Sequence, residues 1–409
     1  MKRAKVFALL AIIAMLIPFV SCTKDHLADT TPAHFDLSPQ GRALVTASND
    51  FAFRMFKETD AGTAPGKNMM VSPLSISYAL GMALNGAGTI TYDSIRNTLG
   101  FNLLTLQDIN SSYKALIPFL LNADPSTTLK IANSVWYTTG FNPKQTFLDT
   151  VGYYFNAYLS QIDFSSPGAK NTINDWVANN TGGKIKNMLS SINPQDVMYL
   201  INAVYFKGNW TIKFDKSKTA DKPFQKASGT VNVPTMHNKQ NFRYFYHSDF
   251  AMLELDYGQT NYAMDLMLPH SGKTPADIVQ QLDAASFDQW AQQLDTVHDM
   301  DIAIPKFKFE FETSLKDALS SMGMGIAFSD FADFSDISSD YQLLITDVKH
   351  KTFIDVNEEG TEAAAATSIG IGVTSMPPSF IADRPFLFVI REKDTNTILF
   401  IGKVCDPAY

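Results

Sequence analysis

The sequence predicts an α+β fold. Helical spacing of apolar residues concentrates early in the chain, strand-length apolar or alternating runs concentrate late, and no Pro/Gly/Ser-rich linker or charge run interrupts it after about residue 40. A single domain is therefore expected over residues 41–409, although the length alone would admit two or three.

The elements follow in order. Residues 74–84 and 95–99 carry apolar side chains at helical spacing, and Gly100 is placed to stop the second. Residues 129–137 alternate as a strand, with Ile131, Asn133 and Val135 on one face. Residues 173–177 and 184–189 read as helix. Residues 197–206 form a near-continuous apolar run of strand length, suited to a strand covered on both faces. Residues 251–255, 262–268 and 302–311 read as further strands, 314–323 as a helix ended by Gly323, and 351–356 as the strand after it.

Composition narrows the function. The formal charge is −8, with no basic stripe, which argues against nucleic acid as a partner. Seven histidines are scattered without metal-ligand spacing, and there is no HExxH, nucleophile elbow, Gly-rich phosphate loop or CxxC. No cofactor, metal or catalytic residue is expected, and the protein is not expected to be an enzyme. Hydrophobic residues make up 45% of the chain, enough for a large core, so stability is expected from packing.

The first residues read as an export signal: Lys2, Arg3 and Lys5, an apolar run over 6–20 interrupted by Pro18, then Ser21 before Cys22. The run is too short to span a bilayer comfortably. Ser21-Cys22 is what a lipoprotein signal presents to its peptidase, although Phe19 stands where Leu is usual. The expectation is a signal over 1–21, a lipidated Cys22 anchoring the protein to a membrane at the cell envelope or surface, and a tether over 22–40. Ordinary secretion is the alternative. Removal of the leader takes three bases and no acid, so the charge becomes −11. With Cys22 lipidated, Cys405 has no partner and no disulfide framework is possible.

The most informative segment is 358–378. Every second residue from Thr361 gives Thr361, Ala363, Ala365, Thr367, Ile369, Ile371 and Val373, small and then apolar. The interleaved face, Glu362, Ala364, Ala366, Ser368, Gly370, Gly372 and Thr374, is small or polar throughout. That is the period of a half-buried strand, yet an alanine run, two glycines and Pro377-Pro378 hold it poorly as a resident one. A loop that later inserts into a sheet has this pattern. Alanine's helix propensity makes a helix or flexible linker the rival reading of Ala363 to Ala366.

The hinge Glu358-Glu359-Gly360-Thr361-Glu362-Ala363-Ala364-Ala365-Ala366-Thr367 resembles the reactive-loop hinge of inhibitory serpins. The runs NMMVSPLS at 68–75, INAVYFKGNW at 201–210, VNVPTM at 231–236, DRPFLF at 383–388 and LFIGKV at 399–404 are similar to serpin segments in the same order, and His350-Lys351 opens the approach to the hinge. The resemblance implies about nine helices and three sheets with an exposed reactive-centre loop, and an irreversible suicide-substrate inhibitor of serine proteases, with cysteine proteases as a further class. A protease would cleave the loop, form an acyl-enzyme, and be trapped as the hinge inserts into the central sheet. Counting in the family's register places the reactive bond at Thr374-Ser375, with Val373-Thr374 as competitor and Met376 as a third bait. A small β-branched Thr374 suits elastase-like or subtilisin-like targets, since neither Lys nor Arg lies between Lys351 and Arg384.

The same resemblance implies a polar shutter cluster of Ser72, Ser75, Asn202 and His350 beneath the opening sheet, each of which reads equally as a cap or a satisfied core residue. It also implies a breach of Trp210, Lys306 and Glu358, where Lys306 with Glu358 reads equally as a surface ion pair worth little. Asn209 departs from the Lys or Thr more usual before that tryptophan. Only Lys114 and Lys130 occupy the region that carries heparin-binding bases in some serpins, so no polyanion activator is expected, and a monomer is. A non-inhibitory carrier or chaperone serpin is the alternative, and a glycan-binding surface lipoprotein a distant third.

Overall fold

Ser38 starts the first long helix for a local reason. Its Oγ accepts the Gly41 N–H at 3.0 Å and Pro39 sits at the first helical position, so α1 (Pro39–Gly62) begins where capping and proline geometry agree. Leu44, Phe51, Met55 and Phe56 face the core, a stripe that the reading of the sequence passed over. After β1 (Met69–Val71), Ser72 caps α2 (Pro73–Leu84), which is buried nearly all round. Then come α3 (Thr89–Thr98), α4 (Leu106–Asn122) with a Thr105–Asp108 capping box, and β2 (Thr127–Thr138). The chain continues through α5 (Gln145–Phe155), β3 (Tyr158–Ile162), α6 (Ala169–Asn180) and β4 (Met198–Gly208).

Strands dominate the rest. β5 (Ala220–Lys226), β6 (Gly229–Tyr246), β7 (Phe250–Tyr257) and β8 (Tyr262–Pro269) precede the short α7 (Pro275–Gln281) and α8 (Ala284–Gln292). β9 (Asp295–Pro305), β10 (Phe307–Ser314), α9 (Lys316–Leu319) and β11 (Lys349–Val356) lead to β12 (Ser379–Ile381), β13 (Phe386–Glu392) and β14 (Ile398–Val404). This computed structural model describes residues 32–360, 378–407 and 409, all within one compact unit, Pro32–Tyr409.

The fold is α+β, with nine α-helices and three sheets among the described residues. The largest sheet runs β1-β14-β13-β8-β7-β6-β9-β12 with β5 on β6; the others are β3-β2-β4 and β10-β11. The main core lies between the large sheet and the early helices, whereas α6 packs Ile173 and Val177 on Trp136, Ile201 and Ala203 of the three-stranded sheet as a separate cluster.

Three expectations are corrected by tertiary detail. Residues 184–189 are not helical: Gly182 (φ 63°) and Gly183 (φ 74°) turn the chain after α6, and the Asn174 side chain binds both the N–H and the carbonyl of Leu189. Residues 302–311 form two strands, because the Lys306 N–H bonds the Pro234 carbonyl (2.8 Å) at the crossing from the large sheet to β10. The expected tether does not extend to residue 40. Ala33 exchanges two hydrogen bonds with the Asn261 side chain (3.0 and 2.9 Å), Phe35 stacks on Phe119, and α1 has begun by Pro39.

Candidate functional site: the gap between β4 and β11

β4 ladders to β2 and β11 to β10, and among the described residues no ladder joins β4 to β11. Their free edges face each other across two cavities. The lower, about 600 Å³, is bounded by residues 198–202 on one side and 343–350 on the other, with Ile76, Leu80, Leu315 and Phe334 behind. The upper, about 100 Å³, lies between residues 205–207 and 353–357.

At mid-height the edges are held by neutral groups. Ser72 donates its N–H to His350 Nε2 (3.0 Å) and its hydroxyl to the Leu399 carbonyl (2.8 Å), while the Ser75 hydroxyl donates to Asn202 Oδ1. All four expected shutter residues are buried and come together here. Each also satisfies an ordinary structural need; Ser72 Oγ, for instance, accepts the Ser75 N–H at the start of α2. Burial pushes the His350 imidazole down to about 4, so it is neutral, and Nδ1 carries its proton because Nε2 accepts. Asn133 was missed as a member. Asn202 donates to its carbonyl oxygen and its amide bonds the Phe155 carbonyl (2.7 Å), tying α5 to β4. An asparagine on the otherwise apolar face of Ile131 and Val135 was the signal.

At the upper end the chain after β11 is pinned over Trp210. The indole stacks on Tyr257 (4.4 Å, 16°) and donates Nε1–H to the Asn357 carbonyl (2.9 Å). The N–H groups of Trp210 and Phe214 donate to the carbonyls of Glu359 and Glu358, both at 3.1 Å. The Glu358 carboxylate meets Lys306 Nζ (3.1 Å) and the Thr219 hydroxyl (2.8 Å), and Lys216 pairs with Glu359. With side chains only 16% and 7% exposed, Lys306 and Glu358 are not a solvated surface pair. Burial works to raise the Glu358 carboxyl, but its own backbone N–H, Thr219 and Lys306 outweigh burial and hold it below the ordinary glutamate range. Thr219 carried no sequence signal.

Gly360 closes this arrangement. It bridges Asn209 on one side and Asn357 on the other, both antiparallel, at φ 97°. A Cβ there would lie 2.3 Å from the Trp210 nitrogen and 2.6 Å from the Gly208 oxygen, so only glycine fits. The expected hinge residues Thr361, Glu362, Ala363, Ala364, Ala365 and Ala366, the bait residues Val373, Thr374, Ser375 and Met376, and Cys22 lie outside the described residues.

Two sheets whose free edges face each other across cavities, with Gly360 bridging the chain just beyond both edges, define a split-sheet protein of mixed α+β class. The chain belongs to the serpin family: the family described as serpin (serine protease inhibitor) matches residues 46–407. An uncharacterised serpin-like protein of Thermococcus kodakarensis is 34% identical, over 95% of this chain and 92% of that one. A leukocyte elastase inhibitor of Xenopus laevis is 36% identical over 89% and 99%. Human thyroxine-binding globulin, crystallised with thyroxine, superposes with a TM-score of 0.83 at 31% identity, covering 90% of this chain and all of that one.

Proposed function

We propose that the protein is a suicide-substrate inhibitor of elastase-like or subtilisin-like serine proteases, which traps its target when residues 361–374 fill the gap between β4 and β11. The observation that carries this reading is the double bridge of Gly360, the first rung of a strand between the two edges. Continuing both antiparallel registers sets Thr361 opposite Gly208 and Val356, and Thr367 opposite Asn202 and His350. Ile369, Ile371 and Val373 then fall opposite Val348, Thr346 and Leu344, which line the lower cavity. Directly opposed residues share a face, and His350, Thr352, Ile354 and Val356 point inward, so the small and apolar face of the loop is the one buried.

The gross terms are large. Three apolar side chains at ~1.5–3 kcal/mol each and about ten ladder hydrogen bonds at ~0.5–1.5 kcal/mol total on the order of 10–20 kcal/mol before ordering costs. Removing one oxyanion donor costs a protease only ~2.7–4 kcal/mol of transition-state stabilisation.

The bait is Thr374-Ser375, and the name of the Xenopus relative is in keeping with an elastase-like target. Incubation with an elastase-like protease should give a covalent band of summed mass on a denaturing gel. Clean cleavage without that band would instead favour a carrier, the reading supported by the likeness to a thyroxine-binding protein. Thr374→Arg should redirect trapping to trypsin, and an unchanged target preference would move the bond elsewhere. The protein is exported and anchored through lipid on Cys22, acts as a monomer without a polyanion activator, and catalyses no reaction of its own. Cys22→Ser should release it from the membrane fraction; retention there would remove the anchor.

A further inference from the structure

Tyr409 stands at the upper end of the gap, apart from every residue assigned above. Its ring lies 4.0 Å from Lys306 Nζ, on the same ammonium that meets Glu358 Oε2 at 3.1 Å. Three residues earlier, Asp406 accepts from Asn68 Nδ2 through its carbonyl (2.7 Å), donates its N–H to Asn68 Oδ1 (2.8 Å), and pairs with Lys226 (2.8 Å). Tyr409 also lies within electrostatic reach of Lys216 and Lys308. Those two lysines pair with Glu359 and Asp355, so the hinge and the end of β11 are held by cations in the same neighbourhood as Lys306.

An ammonium against an aromatic face gains from the ring quadrupole and loses water. A partly dehydrated Lys306 has fewer competing partners for its remaining protons, which strengthens its hold on Glu358. We propose that Tyr409 is a positioning residue of the hinge: its ring seats Lys306 on Glu358 and thereby limits how often the Asn357–Gly360 turn lifts off Trp210. The consequence for trapping rests on the insertion reading. A hinge released too readily would fill the gap before a protease is bound, and one held too tightly would lose the race with deacylation.

The test follows amide hydrogen exchange at Trp210 and Phe214, whose N–H groups bond Glu359 and Glu358, in the uncleaved protein at neutral pH. Tyr409→Ala should speed local opening by about two- to fivefold, the range expected for a cation–aromatic contact whose ring is half exposed, whereas Tyr409→Phe should stay at the parent rate. In a Lys306→Met background, Tyr409→Ala should add nothing further, because the two residues act through one contact. Exchange unchanged in Tyr409→Ala, or accelerated equally with and without Lys306, would overturn the assignment. Tyr409→Leu keeps apolar cover without the quadrupole and should follow the alanine variant; if it follows phenylalanine, simple packing explains the contact and the proposal fails. None of these readings needs a protease, so a protein that traps nothing would sink the inhibitor assignment while leaving the role of Tyr409 to be judged on exchange alone.

Discussion

β8 and β4 are both apolar, yet β8 lies inside its sheet and β4 at the edge of its own. β8 is buried at every position and laddered on both edges, to β7 and β13. Charges in that sheet are matched at close range: Arg391 meets Glu254 (2.6 Å) and Asp265 (2.7 Å), and Lys393 meets Glu254 (2.9 Å) and Asp256 (2.6 Å). Among the described residues β4 has one ladder, and its other edge looks across cavities toward β11. β8 is paired to its neighbours along both edges, whereas β4 and β11 are linked through neutral hydrogen bonds at mid-height and the ion-paired Glu358 turn above. Pairing on both edges goes with burial at every position of β8, whereas a strand laddered on one edge offers its other backbone edge to a further strand.

The strongest way to break that contrast is to let the gap fill. Cleavage within residues 373–376 should raise the Tm by about 5–10 °C, corresponding to a net gain of a few kcal/mol once ordering of the inserted segment is subtracted. Scanning calorimetry before and after nicking checks it, and an unchanged Tm would mean that no energy was held back. The next effect belongs to the complete sheet. Arg391→Ala strips buried Asp265 of its cation and Glu254 of one of three, which should cost ~3–5 kcal/mol in denaturant unfolding while leaving the trapping stoichiometry unaltered.

Acid should act next. The folded His350 has its pKa lowered from 6.5 to about 4, so between these values the unfolded chain binds a proton that the folded chain refuses. Its contribution is full above about pH 6.5 and is lost as pH falls toward 4, about 3 kcal/mol in all. Asp265 works in the opposite sense: burial raises its carboxyl to about 6, so protonation favours the folded state as pH falls from 6. The difference in pH dependence between the parent and His350→Gln isolates the histidine; parallel curves would show that it titrates normally. Smallest in stability is Thr361→Arg, expected within ~0.5 kcal/mol before cleavage. It should nevertheless turn inhibitor into substrate, because a charge opposite Gly208 and Val356 must be dehydrated at the first rung. Trapping at unchanged stoichiometry would refute the register.

Much of this was legible in one dimension. Gly360 and the apolar run that becomes β4 are steric or periodic signals, and these survive without a partner in view, whereas the alternation from Thr361 lies outside the described residues. Asn133 was visible only as an oddity on an apolar face. Residues 184–189 misled because helical spacing over six residues does not outweigh Gly182 and Gly183 together with the grip of Asn174 on Leu189. The continuous run at 302–311 misled because the break at Lys306 is imposed by Pro234, far away in sequence.

By itself the sequence determined the mixed fold class, the family, and a segment whose faces suit a strand but whose glycines and alanines hold it weakly as one. Only the tertiary structure decided that β4 and β11 face each other without a ladder, that Gly360 bridges both, and that Lys306 reaches Glu358 within the fold. Periodicity is a property of neighbours along the chain. The facing of β4 and β11 is a property of two edges brought together from about 150 residues apart, and it exists only once both have been placed.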